Sequence, residues 1–132
     1  MKARVPKVEV KPVVLFYGIE GEKKEQLTTL FDREAVPYKE AVSADLCRKT
    51  GYLCGLAGFE AGEEKECEPF DREAMIFCGF NDRVLDRILK LLRDNDLKIA
   101  LKAALTPTNQ NWTLSDLLKE IAKEHEEMSR RR

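Results

Sequence analysis

One internal correspondence constrains this chain more than any other feature. V-L-F-Y-G-I at Val14 to Ile19 falls on M-I-F-C-G-F at Met75 to Phe80, at an offset of 61 residues and without a gap. At the same offset Gly18 meets Gly79, and Leu27, Leu30 and Phe31 meet Ile88, Leu91 and Leu92. Val36 and Tyr38 meet Leu97 and Ile99. A shared glycine together with a shared apolar stripe exceeds what common composition produces, so the pattern reads as a structural duplication. Each copy holds a continuous apolar run, an amphipathic stretch of helical period, and a second apolar run, which is a βαβ unit. Two such units in tandem form the skeleton of an α+β, ferredoxin-like sandwich with an inserted helix and an extra C-terminal helix. The first strands, being more uniformly apolar, belong in the middle of the sheet and the second strands flank them. The competing architecture is a small doubly wound α/β sheet, because strands and helices alternate. A second echo, F-D-R-E-A at Phe31 and again at Phe70, sits in another register and reads as coincidence.

The length of 132 residues suits one domain with a real core. Residues 1–12, with three basic residues before Val8 and with Pro6 and Pro12, read as a flexible lead-in. Residues 13–132 form a single domain with repeats at 13–42 and 74–105, a linking helix and loop at 43–73, and a final helix at 113–128. Within the first repeat, Val13 to Tyr17 is a strand, Glu22 to Glu34 a helix, and Tyr38 to Val42 a short edge strand, since Lys39 and Glu40 are poor guests for a buried one. Ala44 to Ala57 reads as a helix with Leu46, Thr50, Leu53 and Cys54 on one face. Gly51, Gly55 and Gly58 lower its propensity and suit close packing against another backbone. Glu60 to Pro69 is acidic and reads as an exposed loop. In the second repeat, Ala74 to Phe77 is a strand extended by Cys78, Asn81 or Asp82 caps a helix, and Leu97 to Leu105 is the last strand.

The segment after that strand gathers hydrogen-bonding side chains around the only tryptophan: Thr106, Pro107, Thr108, Asn109, Gln110, Asn111, Trp112. Pro107 ends the strand, and Asn109 and Asn111 are turn formers. Thr113 and Asp116 stand at capping-box spacing, so Thr113 is the expected N-cap of the final helix. Trp112 and Leu117 stand at hydrophobic-staple spacing. The final helix carries Leu114, Leu117, Leu118, Ile121, Ala122 and His125 on one stripe. Lys102 interrupts the preceding apolar strand. It either protects a sheet edge or offers a cation to the loop. In the second case Lys102, Thr106, Thr108, Asn109, Asn111 and Trp112 form a ligand-binding cluster suited to a carboxylate, a phosphate or a peptide group.

Other chemistry finds less support. A net charge of −1 provides no electrostatic case for nucleic acid. No signal peptide and no membrane span is legible, and the expected location is the cytoplasm. Gly18 and Gly79, at the ends of the two central strands, would let a backbone or ligand approach closely, but neither belongs to a phosphate-loop pattern, and Glu20 and Glu22 repel phosphate. Cys47, Cys54, Cys67 and Cys78 form no C-x-x-C pair and are expected to be reduced and structural, with no metal site and no cofactor. Cys78 would act as a nucleophile or redox thiol only with a partner that lowers its pKa. His125 lies among acids, and no Ser-His-Asp triad is recognisable, so no catalytic residue is assigned.

L-K-A-A-L-T-P-T-N-Q-N-W-T-L-S-D-L-L, followed by K-E-H at Lys123 to His125 and preceded by M-I-F-C-G-F, resembles the uncharacterised bacterial family called domain of unknown function 3783, over roughly Met75 to Met128. The resemblance implies a small bacterial cytosolic protein and brings no activity, ligand or catalytic residue with it. The leading functional expectation is a non-enzymatic module that binds a small molecule or a protein partner near the Lys102 to Trp112 segment. A thiol-based enzyme or redox protein using Cys78 is one alternative, and a dimerising assembly module is the other.

Overall fold

A computed structural model describes residues 11–60 and 68–130. Four strands form one mixed sheet in the order β2-β1-β3-β4: β1 is Val13–Tyr17, β2 Tyr38–Ala41, β3 Ala74–Cys78 and β4 Leu101–Ala104. The α-helices among the described residues are α1, Gly21–Arg33; α2, Thr50–Leu53; α3, Asp82–Asp94; and α4, Leu114–Arg130. This is an α+β protein. β1 and β3 take the centre of the sheet, antiparallel to each other, and β2 and β4 take its edges.

The flanking strands do not pair as a ferredoxin-like sandwich requires. There, each second strand lies beside the other unit's first strand. Here β2 pairs in parallel with its own β1, and β4 in parallel with its own β3. Each unit is therefore a complete βαβ crossover, and within the sheet the units pair only through their first strands. Short connections explain the choice: Gly18 to Glu20 leads into α1 and Glu34 to Pro37 leads out of it, and sequential strands joined this tightly tend to be neighbours.

The repeat offset holds in the helices and central strands residue for residue, from Val13 to Ala74 and from Gly21 to Asp82. Both long helices end in the same way. Val36 N–H donates to Phe31 O (2.8 Å) and Leu97 N–H to Leu92 O (2.8 Å), while Ala35 and Asp96 sit at φ 56° and 57°. This is a Schellman ending. Its hydrophobic closure, Val36 near Phe31 and Leu97 near Leu92, is buried in both copies.

Two apolar clusters cover the two faces of the sheet. Val14, Phe16, Met75 and Phe77 pack with Leu27, Phe31, Ile88 and Leu92 of α1 and α3. Leu15, Ile76 and Leu101 face the opposite way and pack with Leu46, Leu53, Leu114, Leu117, Leu118 and Ile121. The final helix thus supplies on one face what the repeats supply on the other. His125, expected on its buried stripe, is exposed, because the helix has run past the sheet by Ala122.

Two expected elements change in detail. The helix expected over Ala44 to Ala57 is only a 3₁₀ turn at Ser43–Asp45 and the single turn of α2. Gly55 and Gly58, at φ 81° and 89°, turn the chain out of helical geometry. Leu46, Thr50, Leu53 and Cys54 are buried all the same. The strand expected over Leu97 to Leu105 is paired only at Leu101–Ala104, because Leu97 closes the end of α3 and the chain bends at Ala100. Cys47 is disulfide-bonded, so the expectation of four reduced thiols is corrected; sequence spacing carries no information about which sulfurs approach in space. Cys67, most of the expected acidic loop and all but the last two residues of the expected lead-in lie outside the described residues.

Candidate functional site at the Trp112 loop

The loop from Leu105 to Trp112 leaves the end of β4 that lies beside the C-terminal end of β3, with Leu105 N–H bonded to Phe77 O (2.8 Å). Its polar residues are used mostly on one another. Asn109, 9% exposed, accepts from Thr106 N–H through Oδ1 (2.7 Å) and donates through Nδ2 to Ala104 O (3.1 Å). Its own N–H donates to Thr106 Oγ1 (3.0 Å). These are the bonds of a side chain that replaces missing ladder bonds after a strand stops. Asn111 Nδ2 donates to Pro107 O (3.1 Å), and Thr108 is exposed.

The loop is then clamped by the segment that carries α2. Trp112 O accepts from both Thr50 N–H (2.9 Å) and Thr50 Oγ1 (3.0 Å), and Thr50 is fully buried. Lys49 and Thr113 form an antiparallel bridge. Gly51 stands so close that a Cβ there would lie 2.7 Å from the Phe59 ring and 3.0 Å from Gln110 O. One of the three expected close-packing glycines therefore has that role. Thr113 is the N-cap, its Oγ1 accepting from Asp116 N–H (3.2 Å). The N–H groups of Leu114 and Ser115 donate to Arg48 O (3.0 Å) and Leu46 O (2.8 Å). The donors that an open helix end would offer to an anion are thus spent inside the fold.

Lys102 and the loop are not brought together. The Lys102 ammonium donates to Ile99 O, on the N-terminal side of its strand, while the loop leaves the C-terminal end. Partial burial lowers the Lys102 pKa. β4 is an edge strand, and Lys102 stands on it as an edge-protecting charge does. Gly18 and Gly79 lie at opposite ends of the sheet, because β1 and β3 are antiparallel. Both have positive φ, 77° and 78°. At Gly18 the close neighbour is the chain itself: a Cβ there would meet Arg72 O at 2.7 Å.

Trp112 is the residue the loop presents. It is 37% exposed and lies outside the cluster that holds Leu117, so the expected staple is not part of that packing. With Asp116, Lys119, Glu120 and Lys123 it lines an open surface cavity of about 410 Å³ along the outer side of α4. Residues 73–128 match the model of a family described as Domain of unknown function (DUF3783). The DUF3783 segment takes in β3, α3, β4, the loop and most of α4, and leaves out β1, α1, β2 and α2. Trp112 and the four charged residues beside it all fall within it, whereas the Thr50 clamp does not. No curated protein and no solved structure matches the chain.

Sequence reasoning missed a second group of residues. Cys54, the C-cap of α2, and Cys78, the last residue of β3, are free thiols in one apolar cluster. Interaction with the Cys78 thiol, with burial second, raises the Cys54 pKa, and the same interaction lowers that of Cys78 against the opposing effect of burial. Lys39 on β2 reaches over the same face and donates through Nζ to Leu53 O (3.3 Å), one residue before Cys54. No spacing rule could have paired thiols 24 residues apart on two different elements. Among the described residues no group of three or more His, Cys, Asp or Glu side chains is arranged to hold a metal ion, and no helix is long and apolar enough to cross a membrane.

Proposed function

We propose that the chain is a non-enzymatic binding module that recognises a protein partner through Trp112 and the outer face of α4. The observation that carries this reading is an exposed indole on a loop whose neighbouring polar groups are tied into the fold. A tryptophan held rigid at the surface adds large apolar contact at little entropic cost, which is why tryptophan is enriched at the energetic centres of interfaces. Asp116, Lys119, Glu120 and Lys123 surround it with both signs of charge, as a polar rim does. The fitting partner is a peptide segment with one apolar anchor flanked by an acidic and a basic residue. The cavity is open along the helix, which favours an extended segment over a small metabolite. The matched offset of the two βαβ units supports descent from a duplicated unit, to which α4 adds the binding face.

The test is selection of a random peptide library on the folded chain and, in parallel, on Trp112→Ala. Peptides of the stated type that bind the first, shift its tryptophan emission to the blue and lose at least tenfold in affinity on the second are expected. Equal binding to both proteins would overturn the reading. Sedimentation at rising concentration separates a second copy of the chain from a foreign partner. Self-association abolished by Trp112→Ala would make the module a dimerising one.

A further inference from the structure

The outer face of α4 carries its charges in an order that does not serve the helix itself. Lys119 and Lys123 stand four residues apart, as do Asp116 and Glu120, so like charges run up the helix in two adjacent rows. Like charges at this spacing weaken a helix, whereas opposite charges strengthen it. α3 shows the second arrangement, with Lys90 and Asp94 four residues apart and joined at 2.6 Å. On α4, Lys119 reaches Glu68 at 3.7 Å, with both side chains more than half exposed, and a pair so placed holds little energy. Asp116, Glu120 and Lys123 join no ion pair among the described residues. The two rows line the surface cavity of about 410 Å³ beside Trp112.

The spacing of the rows fits an extended chain. A rise of about 1.5 Å per residue sets successive members of one row about 6 Å apart along the helix. An extended chain rises about 3.3 Å per residue and sends alternate side chains to opposite sides, so those on one side recur about every 6.6 Å. Counted from Asp116, the charges of Lys119, Glu120 and Lys123 follow at about 4.5, 6 and 10.5 Å. The next three residues of a strand laid alongside follow at about 3.3, 6.6 and 9.9 Å, a mismatch of about 1.2 Å at most.

We propose that this face reads an extended peptide in one charge order: an apolar anchor on Trp112, then basic, acidic, basic and acidic residues opposite Asp116, Lys119, Glu120 and Lys123. The inference rests on the binding role proposed above, and it sets both kinds of charge on the same side of the anchor. Strand alternation delivers the basic side chains to the acidic row and the acidic ones to the basic row. The opposite order sets like charges together at all four positions, which is how an interface rejects wrong partners. Counted outward from the anchor, the order is the same for either direction of the peptide chain.

The test compares two synthetic peptides on the full chain by the shift of tryptophan emission. Both carry a leucine anchor, one followed by alternating lysine and glutamate beginning with lysine, the other beginning with glutamate, and each is made with its anchor at either end. The first is expected to bind about tenfold more tightly, since several exposed charge pairs act together, and high salt is expected to narrow the difference. A chain with the rows exchanged, by Asp116→Lys, Lys119→Glu, Glu120→Lys and Lys123→Glu, is expected to prefer the second peptide. Equal binding of both peptides to the unaltered chain overturns the charge order and leaves the Trp112 reading standing; this arm needs no variant to fold. Library peptides that bind through Trp112 while neither of these does have the same meaning. If no library peptide shifts the indole emission either, both readings fail.

Discussion

The two βαβ units share a plan and differ in how each is finished. β1–α1 and β3–α3 match in length and in offset, down to the residue in left-handed geometry after each helix. The second unit has the better local chemistry. Asn81 caps α3 by accepting from Val84 N–H (2.9 Å), whereas Glu20, at the same place before α1, makes no side-chain cap. Asp96 ends α3 in a conformation that Asp tolerates, while Ala35 takes the same conformation with less ease. The last strands also differ. β2 pairs with Tyr38 opposite Val14, but at the equivalent point Lys102 and not Ile99 lies opposite Met75, a slip of three residues. The slip follows from the bend at Ala100, and it brings the chain off β4 towards the Trp112 loop. The first unit, with weaker caps, is held by contacts beyond itself: Lys23 joins Glu73 (2.6 Å) and Lys98 O (2.7 Å), and Gly18 admits Arg72. Equivalent folds need not draw their stability from equivalent places.

The largest effect is expected where the units share a cover. Leu118, on the inner face of α4, is fully buried, and Leu118→Ala should cost about 2–5 kcal/mol in urea unfolding. If the units are one cooperative body, fluorescence and circular dichroism will report a single transition, displaced as a whole. Two transitions would show that α4 and the first unit unfold apart.

Gly18→Ala should follow, at about 3 kcal/mol, since positive φ and the contact with Arg72 O both oppose a side chain. A loss below about 1 kcal/mol would mean that Arg72 gives way easily and that the first unit is not anchored there.

Asn109→Ala should cost about 2 kcal/mol, because Thr106 N–H and Ala104 O lose their buried partner. Its damage should stay in the second unit. Hydrogen exchange should accelerate in residues 101–112 and leave β1 and α1 protected, and acrylamide should quench Trp112 more readily. Unchanged quenching would show that the Thr50 clamp alone positions the indole.

The caps sharpen the comparison most finely. Asn81→Ala should destabilise by about 1 kcal/mol and Glu20→Ala by much less. Ala35→Gly should stabilise by roughly 0.5–1 kcal/mol, more than Asp96→Gly does. Equal responses in the two units, read from thermal midpoints, would contradict the difference drawn between their ends.

Much of the candidate site was legible locally. Thr113 was readable as a cap because the capping bond spans three residues, and Asn109 as a turn former because its bonds reach only to Ala104 and Thr106. The role of Lys102 divided into two readings that periodicity could not separate. The bend at Ala100 places Ile99 O within reach of the ammonium. The clamp from Thr50 to Trp112 was illegible, since it joins residues 62 positions apart across a loop that leaves no periodic trace.

By itself the sequence determined the number and order of the elements of both repeats, the centrality of β1 and β3, the edge position of β2 and the stripe that α4 buries. Hydrophobic period, glycine and capping chemistry act over a few residues, and a reader of the chain has all of them in view. The tertiary structure alone set that each second strand pairs within its own unit, that α2 is a single turn, that Trp112 stays at the surface and that Cys54 and Cys78 share one buried cluster. These depend on which distant surfaces meet after the chain has closed its loops, and no short-range pattern encodes that choice.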